Sequence, residues 1–223
     1  MFYYPTNPAP DRHRAPSYRI MTVEGSDAVA VKPDRADVEL GVITQAMSLT
    51  EAQETNAETM NQVIQSLQQL GIPPEMIQTI DYSIQPQYDY VDGKQEFRGY
   101  QVTHMLSVKI AEINQTGTVI DTAVQNGANR VLDINFTVNH PSLYYQQALT
   151  LALENAAGKA RAMTEKLGVK LDPVPIKIAE RNSDSPDPFN TAVFKTQSAS
   201  ATPVEPGQLE IKATVDVQYH YFA

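Results

Sequence analysis

The spacing of apolar residues along the chain predicts its strands. Two strand-like runs fill residues 20–45, and the turn-forming residues Lys32-Pro33-Asp34-Arg35 between them indicate a strand pair. Residues 80–90 alternate between an apolar and a polar face, and residues 130–138 repeat this pattern. The C-terminal residues 209–222 alternate over more positions than the roughly five or six of a typical strand. Long, two-faced strands of this kind are typical of antiparallel sheets.

Three segments show the spacing of helices instead, with apolar residues recurring about every 3.6 positions. The first begins at Ser48, which forms a capping-box match with Glu51, and it ends at Gly71. The second covers residues 114–127 and the third covers residues 142–167. Each helix is predicted to pack its apolar side against a sheet.

A predicted hairpin in the middle of the chain has a fault in its alternation. Asp92-Gly93 is a strong signal for a two-residue turn, and this turn places Tyr88 opposite Phe97. The returning strand then changes phase between Phe97 and Tyr100, so its later apolar residues fall on the wrong face. One extra residue near Gly99 corrects the mismatch, because a β-bulge adds one residue to one strand and glycine suits that position. We therefore predict a bulge at Gly99.

With a short strand near residues 175–180, the elements follow the order ββ-α-ββ-α-β-α-β-loop-β. The predicted fold class is α+β, with antiparallel β-sheets and three helices on one side. Residues 1–19 are rich in proline and are predicted to form a flexible tail. Residues 20–223 are predicted to form the domain, with a long flexible loop at about 182–206.

The composition narrows the function classes. The 223 residues carry a formal net charge of −9 without a basic stripe, which argues against binding to nucleic acid or to an anionic membrane surface. The absence of cysteine excludes thiol catalysis, disulfides and cysteine-based zinc sites. No apolar run approaches the ~18 residues of a membrane span.

The N-terminal sequence bears on the compartment. Residues 1–18 lack the apolar core of roughly 7–15 residues that a secretory signal needs. We therefore expect a cytoplasmic protein. The alternative is a protein of the cell envelope, or one exported by another route.

The histidines are the first candidates for chemistry. His104, His140 and His220 could supply a metal site together, but no pair of them has the spacing of metal ligands. His104 interrupts an apolar row, and in the bulged register it faces Tyr82. A partly buried ring whose nitrogens bond a tyrosine hydroxyl, the backbone or water is the simpler interpretation, so we expect His104 to be structural.

Two groups of charged residues also have structural explanations. Asp37 and Glu39 share a strand face, as an acid–base pair would, but that face is the solvated one if Val38 is buried. Near the end of the third helix, cations stabilise the helix dipole, which accounts for Lys159, Arg161 and Lys166. No hydrolase, P-loop or dinucleotide motif is present, so we predict no catalytic, cofactor-binding or metal-binding residue.

The tyrosines suggest an interface. One group clusters around the predicted hairpin and the other lies on the C-terminal strand: Tyr82, Tyr88, Tyr90 and Tyr100, then Tyr219 and Tyr221. Packing within the core and the sheets is the default interpretation. A protein–protein interface is the alternative, because tyrosine is enriched there.

Four segments, in this order, resemble the SIMPL-domain family. They are TVEGSDAVAVKPDRADVELGVITQ, YSIQPQYDYVDGKQEFRGYQVTHMLSVKI, NGANRVLDINFTV and TPVEPGQLEIKATVDVQYHYF. The resemblance covers about residues 20–223 and implies an α+β fold and large homo-oligomers, ring- or channel-like in a periplasmic immunogenic member. It also implies links to the cell envelope and to oxidative stress in bacteria, and to a signalling kinase for the animal namesake. It offers no established catalytic residue to carry over.

Together these observations predict a non-enzymatic, homo-oligomeric assembly or interaction module, linked to stress protection or the cell envelope. Its expected partners are further copies of itself, or another protein. The alternatives are a metal-dependent hydrolase that uses Asp/Glu and His, and a small-ligand binder in a pore or groove of the oligomer. We expect self-association through strand edges and tyrosine-bearing surfaces, with the C-terminal strand involved. The strand 209–222 is either captured by a neighbouring subunit or held centrally in its own sheet. The resemblance to a family of large oligomers favours the first of these arrangements.

Overall fold

The computed structural model describes residues 19–181 and 202–222. Seven strands and three α-helices lie within these ranges, in the predicted order, which confirms the α+β fold class. Short 3₁₀ turns precede β3 and α2, at Pro74–Met76 and Ile113–Gln115. The elements are β1 (Arg19–Val31), β2 (Arg35–Ala46), α1 (Leu49–Gln69), β3 (Ile77–Val91), β4 (Lys94–Ile110), α2 (Thr116–Gln125), β5 (Arg130–Thr137), α3 (Pro141–Leu167), β6 (Lys170–Arg181) and β7 (Leu209–Phe222).

The strands form two sheets, and the described residues divide into two compact units. A four-stranded sheet has the order β3-β4-β2-β5, and a three-stranded sheet has the order β1-β7-β6. One unit contains residues 30–142 and 202–210, and the other contains residues 19–29, 143–181 and 211–222. Most of the predicted tail (1–19) and of the predicted loop (about 182–206) lies outside the described residues.

The core of the first unit lies between the four-stranded sheet and the helices α1 and α2. Val38 and Leu40 of β2 are completely buried, as are Val63 and Leu67 of α1. Burial of an aliphatic side chain of this size contributes about 1.5–3 kcal/mol. The alternation in β2 and the helical spacing in α1 predict these buried positions correctly.

The second unit packs α3 closely against its sheet. Four buried alanines face the strands at intervals of one helical turn: Ala148, Ala152, Ala156 and Ala160. Their small side chains let β1 approach the helix, and a Cβ added to Gly25 would lie 2.1 Å from the Ala152 carbonyl oxygen. Val215 and Val217 of β7 complete this core.

The pairing of the first two strands differs from the sequence prediction. The first two strands exist, but they do not pair with each other, since β1 joins β7 while β2 lies between β4 and β5. The residues expected to form their turn bond elsewhere: the Asp34 amide donates to the Thr137 carbonyl, and the Asn139 amide donates to the Asp34 carboxylate. The turn chemistry at 32–35 therefore holds β2 against the end of β5.

The C-terminal strand is held inside its own sheet. β7 has β1 on one side and β6 on the other, so it takes the central position rather than the capture by a neighbouring subunit that the family resemblance favoured. Both of its edges are thus paired within the chain, so neither edge is open to a neighbouring subunit.

The start of α1 agrees with the prediction in position but not in its hydrogen bonds. α1 begins after Ser48 as expected, but the Ser48 side chain makes no capping hydrogen bond, so the predicted capping box with Glu51 does not form. Only the Ser48 carbonyl takes part, as the acceptor for the Ala52 amide. The position of the helix end follows from the apolar spacing rather than from the cap.

Candidate interaction surface

The hairpin between β3 and β4 forms as its sequence predicts. Asp92 and Gly93 both have positive φ, 49° and 77°, which is the backbone that a tight two-residue hairpin turn requires. Tyr88 pairs with Phe97, so the predicted register is confirmed. β2 accompanies β4 only as far as the pair between Ala46 and Tyr100. Beyond that pair, the tip of the hairpin is a two-stranded ribbon.

The bulge at Gly99 is confirmed. Gln87 pairs with Gly99 while Tyr88 pairs with Phe97, so Arg98 is the extra residue in β4. Gly99 has a φ of 134°, a conformation that L side chains rarely adopt. A Cβ there would also lie 2.6 Å from the carbonyl oxygen of Ala46, so glycine is required both by the backbone and by the close approach of β2.

The bulge brings aromatic rings onto one side of the hairpin. Phe97 lies 5.7 Å from Tyr88 and 5.2 Å from Tyr100 between ring centroids, in edge-to-face geometry. Further along the same side, the rings of Tyr82 and His104 lie 5.2 Å apart. Aromatic pairs in this geometry contribute about 0.5–1.5 kcal/mol beyond their burial.

This side of the hairpin is exposed, although its residues are apolar. We call it the aromatic face, and it consists of Tyr82, Ile84, Tyr88, Tyr90, Phe97 and Tyr100. All but Tyr100, which is half-buried, are between 36% and 77% exposed. A contiguous exposed apolar surface of this kind is typical of an interaction site.

His104 lies at the inner end of the aromatic face. Its Nε2 atom lies 3.2 Å from the Thr79 hydroxyl, and its ring faces Tyr82 as the bulged register predicts. Partial burial lowers the pKa of His104 below its usual value. The hydroxyl in contact with the ring belongs to Thr79 and not to a tyrosine as expected, while Tyr82 meets the ring in edge-to-face geometry. A neutral ring with these neighbours fits a structural role.

The other candidate residues do not converge on a site. In the described ranges, no three His, Asp or Glu side chains are grouped as a metal site would need, so His104, His140 and His220 do not form one. Asp37 accepts a 2.6 Å hydrogen bond from the Ser107 hydroxyl, and its predicted partner Glu39 is not part of that bond.

The cations of α3 and the C-terminal tyrosines have structural surroundings. Lys159 donates to the carbonyl of Glu24 in β1, and Lys166 lies in the last turn of α3, where the helix dipole favours a cation. Tyr219 is buried against α3; burial raises its pKa, while the charge of Arg161 lowers it. Tyr221 packs on the same core. The interface interpretation of the tyrosines therefore applies to the hairpin alone.

Sequence reasoning locates the hairpin tyrosines but misses their exposure. Alternation alone predicts a buried apolar side for β3, whereas that side extends past the helices that would cover it.

None of the helices in the described part of the chain is both long and apolar enough to cross a membrane.

Similar proteins share most of this chain. It is 30% identical over 209 residues to the 26 kDa periplasmic immunogenic protein of Brucella melitensis, covering 89% of this chain and 83% of that protein. The protein of the same name in Brucella abortus is similar to the same extent. The uncharacterized protein YggE of Escherichia coli K12 is 27% identical over 154 residues, covering 69% of this chain and 63% of YggE.

These relatives overturn the predicted compartment. Two of them are named as periplasmic proteins, so the prediction of a cytoplasmic protein is wrong. That prediction relied on the lack of a secretory pattern in residues 1–18, and the absence of a pattern from one segment is weak evidence beside similarity over most of the chain.

The family model for SIMPL, described as a protein of unknown function (DUF541), matches residues 21–219. The match runs from the third residue of β1 nearly to the end of β7 and takes in both sheets. The chain therefore belongs to the SIMPL family.

Proposed function

We propose that this protein is a non-enzymatic periplasmic module that associates with further copies of itself through the aromatic face. The observation that carries the proposal is the row of exposed rings on the hairpin, from Tyr82 to Tyr90 and Phe97. Water-exposed aromatic surface of this extent is stabilised by burial against another apolar surface. Tyrosine and phenylalanine are also enriched at protein–protein interfaces.

The charge distribution of the hairpin favours a second copy as the partner. The aromatic face contains no Asp, Glu, Lys or Arg, and His104 at its inner end has a lowered pKa. Alternation directs Asp89 to the opposite side of β3, where it forms an exposed ion pair with Arg98 at 3.5 Å. An uncharged face can meet an identical face about a two-fold axis without repulsion between like charges. The lack of charge on this face favours self-association in a chain whose net charge of −9 would otherwise make two copies repel each other.

The proposed role in stress protection or in the cell envelope rests on the family resemblance alone. The hydrolase alternative has less support from the site, because no three candidate ligands lie together among the described residues. Measuring the metal content of the purified protein, together with its hydrolytic activity, would separate the two functions.

Light scattering after size exclusion tests the proposal. We expect the native protein to have a mass above the 24.7 kDa of one chain at protein concentrations of about 1–100 µM. The double variant Tyr88→Ser/Phe97→Ser should shift towards 24.7 kDa, because it removes the centre of the aromatic face. The matched control is Val174→Ser/Ile178→Ser, which removes two apolar side chains of β6 that are 66% and 52% exposed.

The control variant should keep the mass of the native protein. A native protein that is monomeric at all these concentrations would contradict the proposal. So would a hairpin variant that keeps the native mass while its circular dichroism shows an intact fold.

A further inference from the structure

Two places in the chain have an aspartate or an asparagine directly before a glycine: Asp92-Gly93 and Asn126-Gly127. In such a pair the glycine amide nitrogen can attack the side-chain carbonyl carbon of the preceding residue, because glycine has no side chain to shield it. The product is a cyclic imide, a succinimide. Asparagine loses ammonia in this step, and aspartate loses water. The surroundings of each pair decide whether it reacts in the folded protein.

Asn126-Gly127 is held at the end of α2. The Asn126 side-chain nitrogen donates to the Thr122 carbonyl at 2.8 Å, and the Gly127 amide donates to the Val124 carbonyl at 3.1 Å. Both the leaving nitrogen and the attacking nitrogen are therefore engaged in hydrogen bonds. A Cβ added to Gly127 would lie 2.4 Å from Cγ2 of Thr59, so α1 packs tightly against this backbone. Asn126 can react only after the end of α2 has come away from α1.

Asp92-Gly93 has none of these restraints. Both residues are exposed, and a Cβ added to Gly93 would meet nothing within 4 Å. The Asp92 carboxylate makes no hydrogen bond or ion pair with another described residue. Val91 and Lys94 are the last pair of the two strands, and the hydrogen bond of a two-residue turn joins such a pair. The amide of Gly93 lies outside that bond.

The turn can also change its backbone locally. Asp92 has a φ of 49°, and no other residue in the described ranges except glycines has a positive φ. This conformation is costly for a residue with a side chain. β2 accompanies β4 only as far as Tyr100, so each strand of the tip is held by the other strand alone. A segment with few buried contacts opens at a low cost in free energy, and the core stays folded while it does so.

We propose that Asp92 is a site of spontaneous isoaspartate formation, whereas the fold protects Asn126. A bond forms between the Gly93 nitrogen and the side-chain carboxyl carbon of Asp92, and a carboxyl oxygen leaves as water with the amide hydrogen. Water then opens the succinimide. When it breaks the bond from the main-chain carbonyl carbon to the Gly93 nitrogen, the chain continues through the side-chain carbon of Asp92. The backbone gains one CH₂ group, and the carboxylate remains on Cα.

The longer backbone no longer fits a two-residue turn, whose dihedral angles match the twist of the two strands. The pairs Val91–Lys94 and Tyr90–Gln95 next to the turn should therefore fray. Asp92 is not part of the aromatic face, so the formation of isoaspartate does not depend on self-association.

Incubation of the full chain at pH 7.5 over several weeks tests the proposal. Asp-N protease cuts before aspartate but not before isoaspartate, so mass spectrometry of the digest follows the loss of cleavage at Asp92. We expect this loss to increase steadily, while the peptide that contains Asn126 keeps its mass. In guanidinium chloride both sites should react. Asn126 should then be the faster site, because an amide is a better electrophile than a carboxylate.

The variant Asp92→Asn gives the sharpest comparison, since it places the same Asn-Gly pair in both surroundings. Asparagine is also well suited to this type of turn. We expect position 92 of the folded variant to deamidate at least about 10-fold faster than Asn126, which corresponds to about 1.4 kcal/mol in the free energy of local opening. In guanidinium chloride the two rates should be similar. The matched control is Asp92→Glu, which keeps the charge but would need a larger ring, and it should form no isoaspartate at this position.

Three results would overturn the proposal. The first is native protein that forms no isoaspartate at Asp92 during a period in which the denatured chain does. The second is a folded Asp92→Asn variant that deamidates at equal rates at both positions. The third is deamidation of Asn126 as fast in the native protein as in guanidinium chloride. All three are measured on peptides and not on oligomer mass, so this proposal and the assembly proposal can fail independently.

Discussion

Phe97 and Tyr100 place their rings 5.2 Å apart on one side of β4, although residues three positions apart in a regular strand point to opposite sides. The extra residue Arg98 makes this possible, and Gly99 provides the backbone conformation that the bulge needs. One glycine thus determines whether the hairpin has a continuous aromatic face or two interrupted rows.

Replacing this glycine should destabilise the protein. Gly99→Val forces a branched side chain into a φ of 134° and against the Ala46 carbonyl oxygen. We expect the free energy of unfolding to fall by about 1–3 kcal/mol. Gly158→Ala is the matched control, since it adds a Cβ to an exposed helical position with nothing within 4 Å. That control should gain about 0.5–1 kcal/mol.

Urea unfolding of both glycine variants is the measurement. A Gly99→Val variant as stable as the native protein would show that the bulge tolerates a side chain. The aromatic face would then not depend on glycine at this position.

Asn56 of α1 provides a second test, inside the core. The side chain is completely buried, and its amide nitrogen donates to the carbonyls of Val42 and Val102 at 3.0 and 3.3 Å. The amide oxygen has no partner among the described residues. A group that bridges two adjacent strands in this way fixes the position of α1 on the sheet.

Asn56→Asp should cost about 3 kcal/mol or more, because it replaces a donor with a buried carboxylate that faces two carbonyl oxygens. Asn61→Asp makes the same chemical change at an exposed position of the same helix, where we expect an effect within about 0.5 kcal/mol. Thermal unfolding at pH 7 compares the two variants. Similar melting temperatures would mean that the buried amide contributes little to the stability of α1.

Deleting residues 209–223 tests the role of β7. β7 lies between β1 and β6 and buries Val215 and Val217 against α3. Its loss should therefore unfold the unit that contains α3 rather than release an intact monomer. Hydrogen exchange at the α3 amides is the readout. Protected α3 amides in the truncated chain would contradict this expectation. Val217→Ala is a milder companion variant, expected to keep the fold and to cost about 2 kcal/mol.

Local patterns predict most of the elements, and long-range pairing explains what they miss. The turn at Asp92-Gly93 and the bulge at Gly99 can be predicted because the two strands are adjacent in the chain. The pairing partner of β1 could not be predicted in this way, since β7 lies more than 170 residues further along the chain. The signals at 32–35 are equally consistent with a hairpin and with the contact to Thr137 that the structure has.

The aromatic face shows the same limit. Its tyrosines can be found from one hairpin, but their exposure depends on where α1 and β2 end.

The final prediction concerns pH and His104. Burial holds the pKa of His104 in the folded state below the value of about 6.5 expected for the unfolded chain. As the pH falls below about 6.5, the unfolded state therefore binds a proton before the folded state does, and stability falls with pH. Above that pH the ring is neutral in both states, and this contribution to the pH dependence disappears.

The variant His104→Gln removes this proton linkage. At pH 7.5 we expect it to cost about 1 kcal/mol, through the lost contacts with Thr79 and Tyr82. At pH 5 the difference between native and variant should be smaller, since the native protein has been weakened by protonation and the variant has not. Urea unfolding of both proteins at the two pH values measures this. The other histidines are common to both proteins, so a difference that stays constant or grows at pH 5 would show that His104 does not titrate as its burial requires.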